Sequence, residues 1–160
     1  MYHTVQSFIE DYQHESASTQ KLLDTLTDES LKQEIAPGYR TLGDLAWHLV
    51  PPVGLFAPTG LNFDAPSDHV TPVSASVIAE TYRRTAASLL EAVRTNWTDE
   101  KLQESADVFG QQWKHGFTLD MFLKHEIHHR GQLTILMRQA GLPVAGVYGP
   151  TKEEESGAGM

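Results

Sequence analysis

Between Lys124 and Leu136 the chain reads KHEIHHRGQLTIL, which sets His125 and His129 four residues apart. In a helix that spacing stacks two imidazoles on one face, one turn apart and ~6 Å along the axis. Two neutral imidazoles so placed can hold one divalent metal at ~2.0–2.1 Å each. Phe122, Leu133 and Leu136 fall on the same stripe, so the pair is expected to point toward an interior that shields an ion. His128 is offset by most of a turn and stays outside the pair. His14 is out of phase with its own apolar stripe and His69 has no periodic context, so both are expected to face solvent.

A third ligand is suggested by an internal echo. TDESL at Thr27 recurs as TDEKL at Thr98, and each is followed by a Thr-Leu helix start, Thr41-Leu42 and Thr118-Leu119. His48 and His125 each lie seven residues beyond that threonine. A duplicated helix pair related by an approximate twofold would bring His48 opposite His125 and complete a three-histidine site. The competing reading, histidines at the core edge satisfied by hydrogen bonds, suits one isolated histidine better than three on inward stripes. HEIHH also matches the H-E-x-x-H pattern of zinc proteases, in which the glutamate is the general base. No strand suited to aligning a peptide is evident, and the only downstream glutamates, Glu153, Glu154 and Glu155, lie in a terminal segment.

Four helical segments must position these groups. The first runs from about Thr4 to Leu26 on Val5, Phe8, Ile9, Tyr12, Leu22, Leu23 and Leu26, with small inward Ser16 and Thr19 expected to permit a close helix crossing. The second starts after Thr41, where Asp44 completes a capping box; Pro51 and Pro52 should stop or kink it just past His48. The third spans about Ser74 to Asn96, with Arg83 and Arg84 on its solvated side. The fourth begins at Thr118 and ends near Ala140, where Gly141 suits the position after the last turn and Pro143 prevents continuation. Between the third and fourth, VFGQQWKHG is read as a small hairpin or a looped flap. The class is therefore all-α, a four-helix bundle.

Composition bounds the chemistry. A chain of 160 residues fits one domain, taken as residues 1–150, followed by a flexible acidic tail at 151–160. There is no cysteine, so thiolate ligands, disulfides and a cysteine nucleophile are excluded, and any thiol must arrive with a substrate. A formal net charge of -9 argues against a nucleic-acid partner. The lack of a ~20-residue apolar run or a signal-peptide core predicts no membrane association and a cytoplasmic protein.

An inward histidine in the second helix, then H-x-x-x-H-R-G-Q-L in the fourth, with RQAGLP and VYGP beyond, resembles the DinB/YfiT-like four-helix-bundle metalloproteins. The resemblance runs from Phe8 to Pro150. It implies an up-down-down-up bundle, often a homodimer, with a metal triad falling on His48, His125 and His129. The ion it implies is nickel or zinc, with manganese or iron as further candidates, one per chain. Some relatives use a low-molecular-weight thiol for S-transfer or isomerisation, so a thiol co-substrate and a small-molecule substrate are implied. Glu126 and Arg130 flank the metal face by position. Each is a candidate to support the ligands or to contact substrate, with a solvated surface role equally open, and Arg130 and Gln132 are also candidates for contact with a partner subunit. Trp47 and Trp113 are candidates to line a pocket or to pack the core. Two classes of function stay open at this point: a metal-dependent enzyme, with thiol-dependent transfer ahead of hydrolysis by a metal-bound hydroxide, and a non-catalytic metal- or ligand-binding stress protein.

Overall fold

The first apolar stripe folds as helix α1, Val5–Leu23, in the computed structural model, which describes residues 1–67 and 69–158. Thr4 caps it, its side chain accepting from Ser7 N. Helix α2, Leu42–His48, opens on the expected capping box: Asp44 N donates to Thr41 Oγ1 and Thr41 N to Asp44 Oδ2, both at 3.1 Å. It ends at His48, because Pro51 and Pro52 have no N–H for the carbonyls of Trp47 and His48. A single turn of helix α3, Val53–Phe56, and a 3-10 turn at Ala57–Thr59 carry the path onward. Helix α4, Ala75–Asn96, is capped by Ser74.

The segment before the fourth helix forms an antiparallel hairpin, β1 Ser105–Val108 with β2 Gln111–Lys114, of the two forms considered for it. Its two-residue turn places Phe109 at φ 55 and Gly110 at φ 78, the left-handed pair that a tight hairpin requires. Helix α5, His115–Gln139, follows directly, and so begins about one turn earlier than the Thr118 start expected from sequence. The hairpin causes the difference: Ser105 pairs with Lys114, and His115 N then donates to Glu104 O at 2.9 Å, which launches the helix there. Gly116 is obligatory in this first turn, since a Cβ would collide with the carbonyl oxygen of Tyr2. At the other end Gly141 (φ 78) follows the helix, with Leu142 N donating to Met137 O at 3.0 Å, the Schellman arrangement.

Helices α1, α2, α4 and α5 pack as an all-α bundle of the expected type. Its centre is a chain of rings: Phe8 stacks on Tyr12, and Phe122 meets both Tyr12 and Phe56 edge-on with centroids 5.3 Å apart. Phe122 thereby pins α5 about one turn before His125 and two before His129.

The internal echo is present in the connections. Leu31 N donates to Thr27 O and Leu102 N to Thr98 O, each at 3.3 Å, and each phrase continues into a 3-10 turn. Glu34 then bridges Thr41 where Ser105 pairs with Lys114. One bridge before α2 thus corresponds to a full hairpin before α5. The histidines are not at equal depth, however: His48 lies seven residues past the cap Thr41 and His125 eleven past the cap Lys114, a difference of about one turn.

Residues expected to be a flexible acidic tail include a helix, α6, Lys152–Ala158. Glu153 pairs with Arg138 and Glu154 accepts from the amides of Gly146 and Thr151, so the acidic run is used for capping and docking. Gly159 and Met160 lie outside the described residues. No helix among the described residues is long and apolar enough to cross a membrane.

Candidate metal centre

His48 is the last residue of α2, and α2 packs against the stretch of α5 that carries His125 and His129. His48 Nε2 lies 3.2 Å from His125 Nε2, and His129 Nε2 lies 3.0 Å from the same atom. Among the described residues this is the group of three potential ligands that can hold a metal ion, one atom from each falling within 4.8 Å of the others. Two imidazoles bound tetrahedrally at ~2.0–2.1 Å would have nitrogens ~3.3 Å apart, close to both spacings.

The proton inventory supports the same fit. The Gln132 amide is oriented with Oε1, an atom that only accepts, 2.7 Å from His129 Nδ1, which matches the tautomer of His129 protonated on Nδ1. Gln132 Nε2 meanwhile faces His128 Nε2 at 3.2 Å, which is consistent with that amide orientation. His129 therefore turns a lone pair on Nε2 toward His125. One N–H on His125 cannot serve both neighbours with good geometry. At least one of the two close nitrogen pairs thus lacks a good hydrogen bond, an arrangement that a cation held by three lone pairs relieves.

The electrostatics keep the ligands neutral. Loss of hydration, then the positive charge of Arg40 and the neighbouring imidazoles, lower the pKa of His48 to about 4. His125 is lowered by loss of hydration and then by His129, His128 and Arg40. His129 is lowered by the same burial, partly opposed by its bond to Gln132. Neutral imidazole is the form that binds metal. The donor set contains no thiolate and no carboxylate, which suits zinc or nickel.

Beside the triad lies a cavity of about 810 Å³, lined by His48 and His125 together with Arg40, Asp44, Trp47, Pro51 and Pro52. His69, expected only to face solvent, is exposed and also lines it. Trp113 lies instead on the hairpin, edge-on to Phe109 and Phe117.

Glu126 and Arg130 do not reach the triad. Helix residues advance about 100° each, so Glu126 points well round from His125, toward α1 and α4. It is 2 % exposed, and Oε1 accepts from Thr19 Oγ1 at 2.7 Å and from Tyr82 Oη at 2.5 Å. Burial raises its pKa to about 7, against the opposing effect of those hydrogen bonds and of Arg130. A glutamate held there cannot activate water at the histidines, which removes the protease reading of HEIHH. Thr19, expected to be a small residue at a close crossing, is thus a hydrogen-bond donor. Arg130, also 2 % exposed, donates to Glu15 Oε2 at 2.5 Å, to Glu15 O at 3.0 Å and to Tyr148 Oη at 2.8 Å. Neither side chain has the solvated role left open from sequence. Gln132, a candidate for partner contact from sequence, instead bonds His129, and Arg40 is a cavity residue that the sequence does not mark. Gln132 had a detectable signal, because a residue three after His129 lies beside it on a helix.

The model of the DinB family matches residues 1–159. YrdA, an uncharacterised protein of Bacillus subtilis strain 168, is 46 % identical over 162 residues, spanning 100 % of this chain and 97 % of its own. A DinB-like protein from Bacillus cereus ATCC 10987 has a crystal structure that superposes with a TM-score of 0.89 at 46 % identity, covering 92 % of this chain and 100 % of that one. The crystal structure of Bacillus subtilis YjoA, also DinB-like, shares the fold at 20 % identity, with a TM-score of 0.65 over 86 % of this chain and 96 % of its own.

Proposed function

This chain belongs to the DinB family, and from that premise we propose that it holds one divalent ion, nickel or zinc, on His48, His125 and His129, and transfers a low-molecular-weight thiol to a small electrophile. The observation that carries the reading is the convergence of three Nε2 atoms at 3.0 and 3.2 Å beside an open cavity. A divalent ion with three neutral ligands supplies Lewis acidity and lowers the pKa of an added thiol or water. The chain's own residues do the rest. Gln132 holds the His129 tautomer, and the end of α2 at Pro51-Pro52 keeps His48 at the cavity wall. Trp47, Val50 and the two prolines offer apolar surface to the carbon skeleton of an electrophile. Glu126 and Arg130 hold α5 against α1 behind the histidines, fixing their register.

In the transfer, sulfur forms a bond to the electrophilic carbon as the bond to the leaving group breaks. The thiol proton passes to solvent and the electron pair departs with the leaving group. An external thiol is required because the chain has no cysteine. The test is turnover of metal-loaded protein with and without added thiol. Rate should rise to saturation with thiol and vanish in His125→Ala while the helical spectrum persists. Product forming equally fast without thiol would replace this reading with hydrolysis. Stoichiometric metal without turnover of any electrophile would leave a binding protein. The homodimer implied by the resemblance is part of the proposal, and light scattering reads it directly.

A further inference from the structure

The chain has six arginines, and five meet a carboxylate: Arg83 with Asp24, Arg84 with Asp64, Arg94 with Glu91, Arg130 with Glu15, and Arg138 with Glu153. Arg40 is the exception among the described residues. It lines the cavity together with His48 and His125. Among the described residues one carboxylate shares that wall, Asp44, and each of its oxygens accepts a hydrogen bond: Oδ1 from Thr71 Oγ1 at 2.8 Å and Oδ2 from Thr41 N at 3.1 Å. The charge of Arg40 is felt by Asp44, but no hydrogen bond or ion pair among the described residues ties its exposed side chain, which leaves guanidinium donors spare in a protein whose net charge is -9. Its position immediately before the cap Thr41 ties it to the start of α2.

A cation beside a cation site weakens metal binding. Arg40 shares the cavity wall with His48 and His125, so its charge faces the same space as the triad. That cost is offset when the molecule entering the cavity is itself an anion, attracted by both charges. Guanidinium is matched to carboxylate by its planar fork of donors. The apolar surface of Trp47, Val50, Pro51 and Pro52 lies on the same cavity. It leaves room for a short carbon skeleton between the anion and the reacting end.

We infer that Arg40 is a specificity-determining residue, which receives a carboxylate of the small molecule that enters the cavity beside the triad. This rests on the reading of the triad as a metal site and of the cavity as its substrate pocket. The carboxylate belongs either to the thiol or to the electrophile, and matched probes separate the two. 3-Mercaptopropionate and 3-mercaptopropionamide differ in charge and keep the sulfur; propionate and propionamide carry the same contrast without it.

The four probes are titrated into zinc-loaded wild type, Arg40→Gln and Arg40→Lys, with binding followed by NMR and zinc content measured on the same samples. In wild type the charged member of at least one pair binds ~10-fold more tightly, the effect of one charge-assisted hydrogen bond. Arg40→Gln abolishes that preference, Arg40→Lys retains part of it, and zinc stays stoichiometric in both variants. Preference within the thiol pair alone assigns the carboxylate to the thiol. Preference in the propionate pair assigns it to any small acid entering the pocket, the electrophile included. Equal binding within both pairs, or a preference that survives Arg40→Gln, overturns the inference. If the wild type holds no zinc, the metal reading fails separately, and the propionate pair on zinc-free protein still decides the role of Arg40.

Discussion

Gln132 Oε1 stands 2.7 Å from His129 Nδ1, and the same amide's nitrogen stands 3.2 Å from His128 Nε2. The outer nitrogen of His129 is thereby held protonated and its inner nitrogen is left free for a metal. Removing such an orienting partner typically costs 10–100-fold in metal affinity. Gln132→Ala should weaken zinc binding by that factor in a chelator competition, whereas Gln132→Glu, which keeps the acceptor, should largely preserve it. Unchanged affinity in Gln132→Ala would mean that the contact does not orient the ring.

Elemental analysis should find one divalent ion per chain in the wild type and less in each of His48→Ala, His125→Ala and His129→Ala. All three side chains converge, so loss of His48 must weaken binding as surely as loss of either histidine on α5. Because the ligands must be neutral and the pocket holds all three below the ordinary imidazole value, His48 at about 4, affinity should persist into mildly acidic pH and fall only as the pH drops through those lowered values. Full occupancy in His48→Ala would reduce the site to the α5 pair.

Asp44 gives a second pH dependence, in stability rather than metal affinity. The Thr71 hydroxyl, the Thr41 amide and hydroxyl and the charge of Arg40 hold its carboxyl below the usual range, against the opposing effect of burial. A depressed acid pKa means that the ionised form stabilises the fold. That contribution is fully present above the unfolded value of ~3.9 and is lost as the pH falls through the lower folded value. Asp44→Asn should cost ~1 kcal/mol at neutral pH in urea unfolding, the usual size of a helix-cap loss. The gap should close as wild type is acidified. A gap independent of pH would assign the cost to shape instead of charge.

The buried pair Arg130–Glu15 should be expensive to break and cheap to replace. Its side chains are 3 % and 11 % exposed, so either charge left alone faces the full cost of dehydration. Arg130→Met should destabilise by ~3–5 kcal/mol, while Arg130→Met combined with Glu15→Leu should recover most of that loss. A double variant no more stable than the single one would show that the hydrogen bonds to Tyr148 and Thr19, and not the unpaired charge, carry the effect.

The bundle and the triad were legible in sequence because both rest on local rules. Apolar spacing marks a helix whatever surrounds it, and two histidines four apart on such a stripe share a face in any fold. The cap at Thr41 and the stop at Pro51-Pro52 depend on neighbours within a turn, so the end of α2 at His48 followed as well. His48 opposite His125 was a longer reach, drawn from a repeated phrase. The phrase did build the same turn twice, but the hairpin moved the second helix start by about one turn, and only the packing of α2 on α5 set the 3.2 Å approach.

What needed the tertiary structure was the fate of groups whose partners lie far along the chain. Glu126 reads as a catalytic base from HEIHH, yet it is bonded to Thr19 and Tyr82, 107 and 44 residues away. Arg130 reads as a flanking cation and is tied to Glu15, 115 residues distant. The acidic terminus reads as a tail and docks on Arg138 and Gly146. Periodicity says which way a side chain leaves its own helix. Whether it then meets water, a carboxylate or a cavity is decided by which other helix is packed there, and that is set by the summed burial of the whole core.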